Sequence, residues 1–549
     1  MVVSAVAILV IAGVVALLAF GPHVGQSSPR PSSETSAAAS AGSNPETAAS
    51  AISGTPPASQ EPSPSASPSA SPAATPGPTR AVAIVPVASW RSPVTKADAT
   101  AVSNTIAGRG RWKALELVET DADAILKALG LDRAAVKGRL VAAPDAARLM
   151  TDLAAHRDRL GFLRADEVGP GVRALSWRGL QLFGVHHVAS LAKWRLMARL
   201  PSTLPGVVPY APDTTWTMWA GGDIGLDRTV AKVVTIDGKG VDYPYDGGTA
   251  RIARLVCCSP FGWKVPVVVR TGHQGAMRDL ISSADIALAN MEEPAPNRFT
   301  YHPHGTVFTG NPKLLAGVAR AGIDVASCAN NHVGDGGRQG ILQSIANMKR
   351  YGIVAFGCGK NLAAARKPAL LTVRGVKIAI LGYDGVGSSF YGAGPNTIGD
   401  APLNATYLRQ DIRAARAAGA QVVIVFPHWG TEYTFGPNVM QRRLGRVAID
   451  AGADMVIGNH PHWVQSVEVY KGKPIWYALG NFTFDQSWSE PTLEGVTLEL
   501  TFRGSRLVQA WMHPHVLVDA VQPNLLDLAG DGQRVLAPVF RASGKGLPW

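Results

Sequence analysis

A chain of 549 residues is too long for one compact core, and at roughly 100–200 residues per domain it accommodates two folded domains plus extensions. Hydrophobic residues make up 46% and charged residues 17%, a soluble globular balance, while 52 Lys+Arg against 40 Asp+Glu leave a formal charge of +12. That excess favours a polyanionic polymer, an acidic lipid surface or a phosphate-bearing substrate, or else an Arg-rich composition without a partner. No Lys/Arg run interleaved with aromatics occurs, which argues against nucleic acid.

Val2 to Phe20 carries no charge and is long enough for a hydrocarbon core that needs about 20 residues. Residues 1–22 therefore read as a signal peptide or a signal anchor. Gly21-Pro22-His23 is a poor cleavage site, which favours an uncleaved anchor. Residues 23–79 are rich in Ser, Pro, Ala and Thr and cannot bury enough apolar surface to fold. Fully extended at about 3.1 Å per residue, its stretch from Ser27 to Thr79 would reach on the order of 160 Å. The expected arrangement is a single-pass protein of the cell membrane with its folded part extracytoplasmic. Cys257, Cys258, Cys328 and Cys358 are too few for a disulfide framework, though an oxidising compartment would permit one pair.

Ala81 to Trp90 reads as a buried strand opening a small α/β domain over residues 80–205, of unknown role. Apolar spacings near 3.6 predict helices over Asp121 to Leu131 and Asp145 to Leu160, with short strands at Gly161-Phe-Leu and Val172 to Trp177. His186-His187 reads as a surface or packing pair.

From Thr214 onward, strand-like apolar runs alternate with amphipathic helices, the pattern of an α/β sheet. Five of these runs end in polar clusters: Gly222-Asp223, Asn290-Met-Glu292, Asn330-Asn331-His332, His428-Trp-Gly430, and Gly458-Asn-His460-Pro-His462. Open α/β sheets bind ligands beyond the carboxyl ends of their strands, where such loops converge. Carboxylate, amide and imidazole donors suit Zn²⁺, Mn²⁺ or Fe, and adjacent metals would bind phosphate and activate water. Taken singly, each cluster has an ordinary reading: Asp223 in a turn, Asn331-His332 as a helix N-cap with a surface imidazole, and a bare His-x-His. Joint occurrence in one region of a chain with thirteen histidines is what points to a shared cation.

The succession Gly222-Asp223-Ile-Gly-Leu-Asp-Arg228, Asn290-Met-Glu292, Ala329-Asn-Asn-His332, His428-Trp-Gly-Thr-Glu-Tyr433, Gly458-Asn-His-Pro-His462 and Leu479-Gly-Asn-Phe482 resembles the CapA-type family over residues 214–503. That family is associated with poly-γ-glutamate capsule synthesis and resembles calcineurin-like metallophosphoesterases. The resemblance implies an α/β fold with a layered β-sheet core flanked by helices over 206–520, followed by a C-terminal extension, 521–549. It implies one or two divalent ions (Zn, Mn or Fe) held by Asp223, Glu292, Asn331, His428, His460 and His462. His332 takes the place of the histidine that protonates a leaving oxygen or steadies the transition state. Arg228 matches an arginine near the entrance, suited to phosphate or carboxylate or, in a plainer reading, to a surface ion pair. Asn481 and Tyr433 stand as supporting or packing groups.

Gly225 stands where the superfamily has the histidine of Asp-x-His, and a long insertion separating Asp223 from Glu292 could form a lid or a partner surface. His302-Pro-His304 reads as a loop near the mouth. Two functions follow: a hydrolase acting on an envelope or capsular polymer, or a non-catalytic component that binds a polyanionic polymer within a capsule synthesis complex. An ATP-driven ligase fits worse, for want of a phosphate-cradling Gly-x-x-x-x-Gly-Lys-Ser/Thr loop.

Overall fold

The computed structural model describes residues 77–544 and 547–549. The apolar segment 1–22 and the linker up to residue 76 lie outside the described residues. Among those described, no helix is long and apolar enough to cross a membrane.

The run Ala-Val-Ala-Ile-Val-Pro-Val forms the strand Thr79–Ser89, central to the first sheet. It pairs antiparallel with Arg159–Arg164, Val172–Ala174 and Met197–Pro201, and Ala114–Val118 and Leu140–Ala143 extend the sheet beyond Arg159–Arg164. Leu115, Leu117, Phe162 and Leu149 are fully buried in its core. The second predicted helix is shorter than its apolar spacing implied, spanning Ala146–Ala155 with Asp145 accepting the Arg148 N–H as its N-cap. Leu160, assigned to that helix from spacing, belongs instead to the strand Arg159–Arg164, because the polar run His156-Arg-Asp158 makes the turn.

Beyond residue 214, two sheets pack face to face. In the larger one, Thr215–Ile224 lies between Ile286–Met291, parallel with Leu288 opposite Ala220, and Glu494–Arg503, antiparallel with Leu498 opposite Ala220. In the other, Val376–Asp384, Val422–His428, Met455–Ile457 and Lys473–Trp476 run parallel. Trp216, Met218 and Leu288 from the first meet Ile378, Ile424 and Met455 from the second in one buried cluster. Helices cover both outer faces of this pair: Leu315 and Ile341 pack on the larger sheet, Leu408 and Leu444 on its partner. Because both faces of these strands are buried, they read as continuous apolar runs rather than alternating ones. Residues past 520 are built into the larger sheet: Gln522–Leu526 pairs with Arg506–Val518 and Thr249–Val256. Val535, Leu536 and Val539 of the helix Gly532–Ser543 join the central core.

Glu494 opens one of these strands as a buried carboxyl whose Oε1 meets no hydrogen-bond partner. Burial, helped by Glu490 and Asp531, pushes its pKa up from 4.5 to about 8. The folded chain therefore holds this proton more tightly than the unfolded chain. Its contribution is fully present below about 4.5 and is lost as pH climbs through about 8, a swing of a few kcal/mol. Thermal melts of the wild type should fall in midpoint between those limits, and Glu494→Gln should flatten that slope; an unchanged slope would remove Glu494 as its source.

Candidate metal centre

The parallel strands bring their carboxyl ends to one side of the sandwich, and the polar clusters meet there. Asp223 is the next-to-last residue of the strand Thr215–Ile224. That strand end runs so close to the 479–480 backbone, with the Asp223 N–H donating to the Gly480 carbonyl at 3.2 Å, that a Cβ on Gly222 would lie 1.8 Å from the Gly480 oxygen. Glu292 follows Ile286–Met291, Asn330 to His332 follow Val325–Ser327, and His428 ends Val422–His428. His460 and His462 follow Met455–Ile457, both in the left-handed region, with φ of 97° and 56°. Holding two non-glycine residues there is costly, and such strain clusters at functional sites.

Asn290 organises the two carboxylates. Its Nδ2 donates to Asp223 Oδ1 at 2.8 Å and to Glu292 Oε2 at 2.5 Å, so one oxygen of each is engaged and the other is left to face the cluster. Asp223 Oδ2 accepts the His460 N–H and lies 3.6 Å from His462 Nδ1. Glu292 Oε1, buried and without a hydrogen-bond partner, is 3.4 Å from His428 Nε2. The same Nε2 lies 2.7 Å from Asn331 Oδ1 and 3.0 Å from His460 Nδ1. Ligand atoms of Glu292, His428 and His460 all fall within 4.8 Å of one another, and a second grouping joins Glu432 to His460 and His462. All six expected ligands thus converge.

Their electrostatics match a cation's needs. Burial pushes Asp223 and Glu292 up to about 7, with the Glu292 charge adding to the shift at Asp223. Burial also drives His428 down to about 4 and His462 to about 3, leaving neutral imidazoles with lone pairs to offer. Oxygen and nitrogen acceptors outnumber protons around the orphaned Glu292 Oε1, and a divalent ion of the Zn, Mn or Fe type satisfies that excess. The donor set therefore fits such a group.

Supporting contacts fix the imidazoles. His462 Nδ1 donates to Asn481 Oδ1 at 2.9 Å, which leaves Nε2 as its lone-pair nitrogen. Asn481 is held in turn by the Thr492 carbonyl, and Tyr433 stacks on His462 at 6.2 Å. His332 Nδ1 bonds Asp335 at 2.9 Å, and its ring stacks on Phe308 at 4.2 Å. Burial alone would lower the His332 pKa, but the Asp335 and Glu292 carboxylates outweigh it and hold it above the usual imidazole value. The helix after this loop starts at Gly337 with Gly336 as N-cap, so Asn331 caps nothing.

Residues 217–486 match the family described as bacterial capsule synthesis protein PGA_cap. That segment belongs to this family. The PGA biosynthesis protein CapA of Bacillus subtilis is 40% identical over 213 residues, which cover 38% of this chain and 56% of that protein. The capsule biosynthesis protein CapA of Bacillus anthracis is 28% identical over 276 residues, covering 49% of this chain and 67% of its own. The chain therefore spans little more than half the length of the first relative. Among solved structures, a 5'-nucleotidase precursor from Thermus thermophilus aligns with TM-score 0.34 and 16% identity, covering 60% of this chain and 59% of its own.

Within this PGA_cap segment, Gly225 has a structural reason to lack the imidazole of Asp-x-His. A Cβ there would meet Glu293 Oε1 at 2.7 Å and the Phe484 ring at 3.1 Å, so the space is already filled. Arg228 is not free: it pairs with Asp485 at 2.6 Å, donates to the Gly305 carbonyl at 3.2 Å and lies 4.5 Å over Phe308. His302 bonds Asp227 at 2.5 Å, while exposed His304 joins no cluster. In the first sheet's region, exposed His186 pairs with Asp279 at 3.0 Å and His187 with the Gly184 carbonyl at 2.8 Å. The sequence permitted one cystine, and Cys328–Cys358 forms it with Cα atoms 5.7 Å apart, while Cys257 and Cys258 lie side by side in the chain. Sequence reasoning passed over Asn290, Glu432 and Asp335 as site residues. The first two lie inside quoted motifs, whereas Asp335 carries no local signal.

Proposed function

We propose that this protein is an extracytoplasmic, metal-dependent hydrolase of phosphoesterase type that acts on a cell-envelope or capsular polymer such as poly-γ-glutamate. The observation that carries the reading is the meeting of Glu292, His428 and His460 around an unpaired buried carboxylate oxygen, beside Asn331 and His332. Asp223, Glu292, Asn331, His428, His460 and His462 would hold the metal. When bound, the ion supplies Lewis acidity toward a phosphoryl or carbonyl oxygen and toward water.

The chain's own residues supply the rest. Asp335 holds the Nδ1–H of His332, so Nε2 is the atom that hands a proton to the leaving group, the oxygen of a phosphoester or the nitrogen of an amide. Phe308 fixes that ring and, with Phe484, shelters the Arg228–Asp485 pair from water. The Cys328–Cys358 cystine supports an oxidising compartment, and the anchor-like residues 1–22 support attachment to a membrane. A non-catalytic polymer-binding role within a capsule synthesis complex is the second reading, favoured by the filled space at Gly225.

Hydrolysis of a generic phosphodiester and of poly-γ-glutamate, with and without chelator, separates the two. Turnover that chelation stops and Mn²⁺ or Zn²⁺ restores is expected. Polymer binding with no turnover under any metal would leave only the second reading.

A further inference from the structure

The insertion separating Asp223 from Glu292 folds as a hairpin, Thr249–Val256 against Val265–Gly272, whose tip reaches the loop at 488–490. Two bonds seat it there: Ser259 Oγ donates to the Trp488 carbonyl at 2.6 Å, and the Glu490 N–H to the Lys264 carbonyl at 2.9 Å. The tip brings Phe261 and Trp263 to Tyr433, Trp463, Trp488 and Ser489 around a cavity of about 330 Å³. The aromatic groups meet edge to face, Trp263 on Trp463 at 5.7 Å and 89°, Tyr433 on Trp488 at 6.0 Å and 78°. Phe261 is 70% exposed and Trp263 47%, unusual exposure for residues so apolar. Tyr433 belongs to both places, lining this cavity and stacking on His462 of the metal centre.

We infer that this aromatic cavity is a binding subsite for an uncharged pyranose ring, carried by the substrate next to the group that enters the metal centre. No charged side chain lines it. Aromatic faces carry negative quadrupole charge, so they repel a carboxylate, and burying one among them is costly. A bare poly-γ-glutamate backbone, with an anion on every residue, does not fit. The polarised C–H face of a sugar does, and its hydroxyls can use the Tyr433 hydroxyl, which belongs to the lining. A quaternary ammonium group shares the liking for aromatic faces but takes up only a small part of this volume. An alkyl chain would bring no group to answer the Tyr433 hydroxyl.

The inference rests on the hydrolase reading for what happens next door, but binding here needs neither metal nor turnover. With 13 tryptophans in the chain, fluorescence would blur the signal, so saturation-transfer NMR on the sugar is the better probe. Methyl β-glucoside and chitotriose are titrated into the full chain, metal-loaded and chelator-treated. Transfer to the ring C–H protons is expected in both forms. Trp263→Ala, a substitution on an exposed hairpin tip, should weaken it about five- to tenfold, and Trp263→Phe much less. Transfer that survives Trp263→Ala and Phe261→Ala unchanged, or tetramethylammonium binding with no sugar binding, would overturn the assignment. Loss of hydrolysis with sugar binding intact would count against the metal reading alone.

Discussion

Replacing His460 with Ala is expected to strip the chain of its divalent ion, with metal per chain falling to background after dialysis. His460 Nδ1 approaches His428 Nε2 at 3.0 Å, and the residue is common to the grouping with Glu292 and His428 and to that with Glu432 and His462. Its loss therefore damages both arrangements, whereas loss of any other member of the two groupings damages one. Substituting a group that merely supports a ligand costs about 10–100-fold in metal affinity, so a shared ligand should exceed that range. Added Mn²⁺ or Zn²⁺ should raise the wild-type melting temperature, by the equivalent of about 2.7 kcal/mol at a hundred times Kd, and leave the variant unmoved. Metal content equal in the two proteins, measured on samples with matching circular dichroism, would sink the proposed centre.

His332→Ala should do the opposite: keep the metal and lose the chemistry. The imidazole is not among the ligand groupings, and its Nδ1 is committed to Asp335. A positioned proton donor contributes about 10²–10⁴-fold, and kcat should fall by that amount while metal stoichiometry holds. Asp335→Asn should lower kcat by less, because the ring stays stacked on Phe308 but loses its anionic partner. Turnover in His332→Ala at the wild-type rate would leave this histidine without a catalytic part.

What could be read from the sequence divides along physical lines. The buried strands were legible because both their faces lie in cores, giving unbroken runs such as Val-Val-Ile-Val-Phe before His428. The candidate ligands could be picked out because each follows such a run, where the chain must turn and where an α/β sheet gathers its loops. Asn290 was harder, since its importance lies in donating to two carboxylates that are 67 and 2 residues away along the chain. Arg228 looked available for an anion because nothing local reveals Asp485, more than 250 residues on. The helix predicted to run to Leu160 stopped early for a different reason: apolar spacing continued across a polar turn into the next strand.

The Cys328–Cys358 bond links two strand ends whose Cα atoms are 5.7 Å apart, and Asn331 lies only three residues beyond Cys328. Closing a loop of 30 residues, it restricts the unfolded chain by roughly 3–4 kcal/mol on the chain-entropy account. Severing it frees the base of the segment that presents the Asn331 amide oxygen, so the proposed grip on a cation would become tied to thiol chemistry. A protein matured where thiols stay reduced would carry the same ligands on a looser hinge.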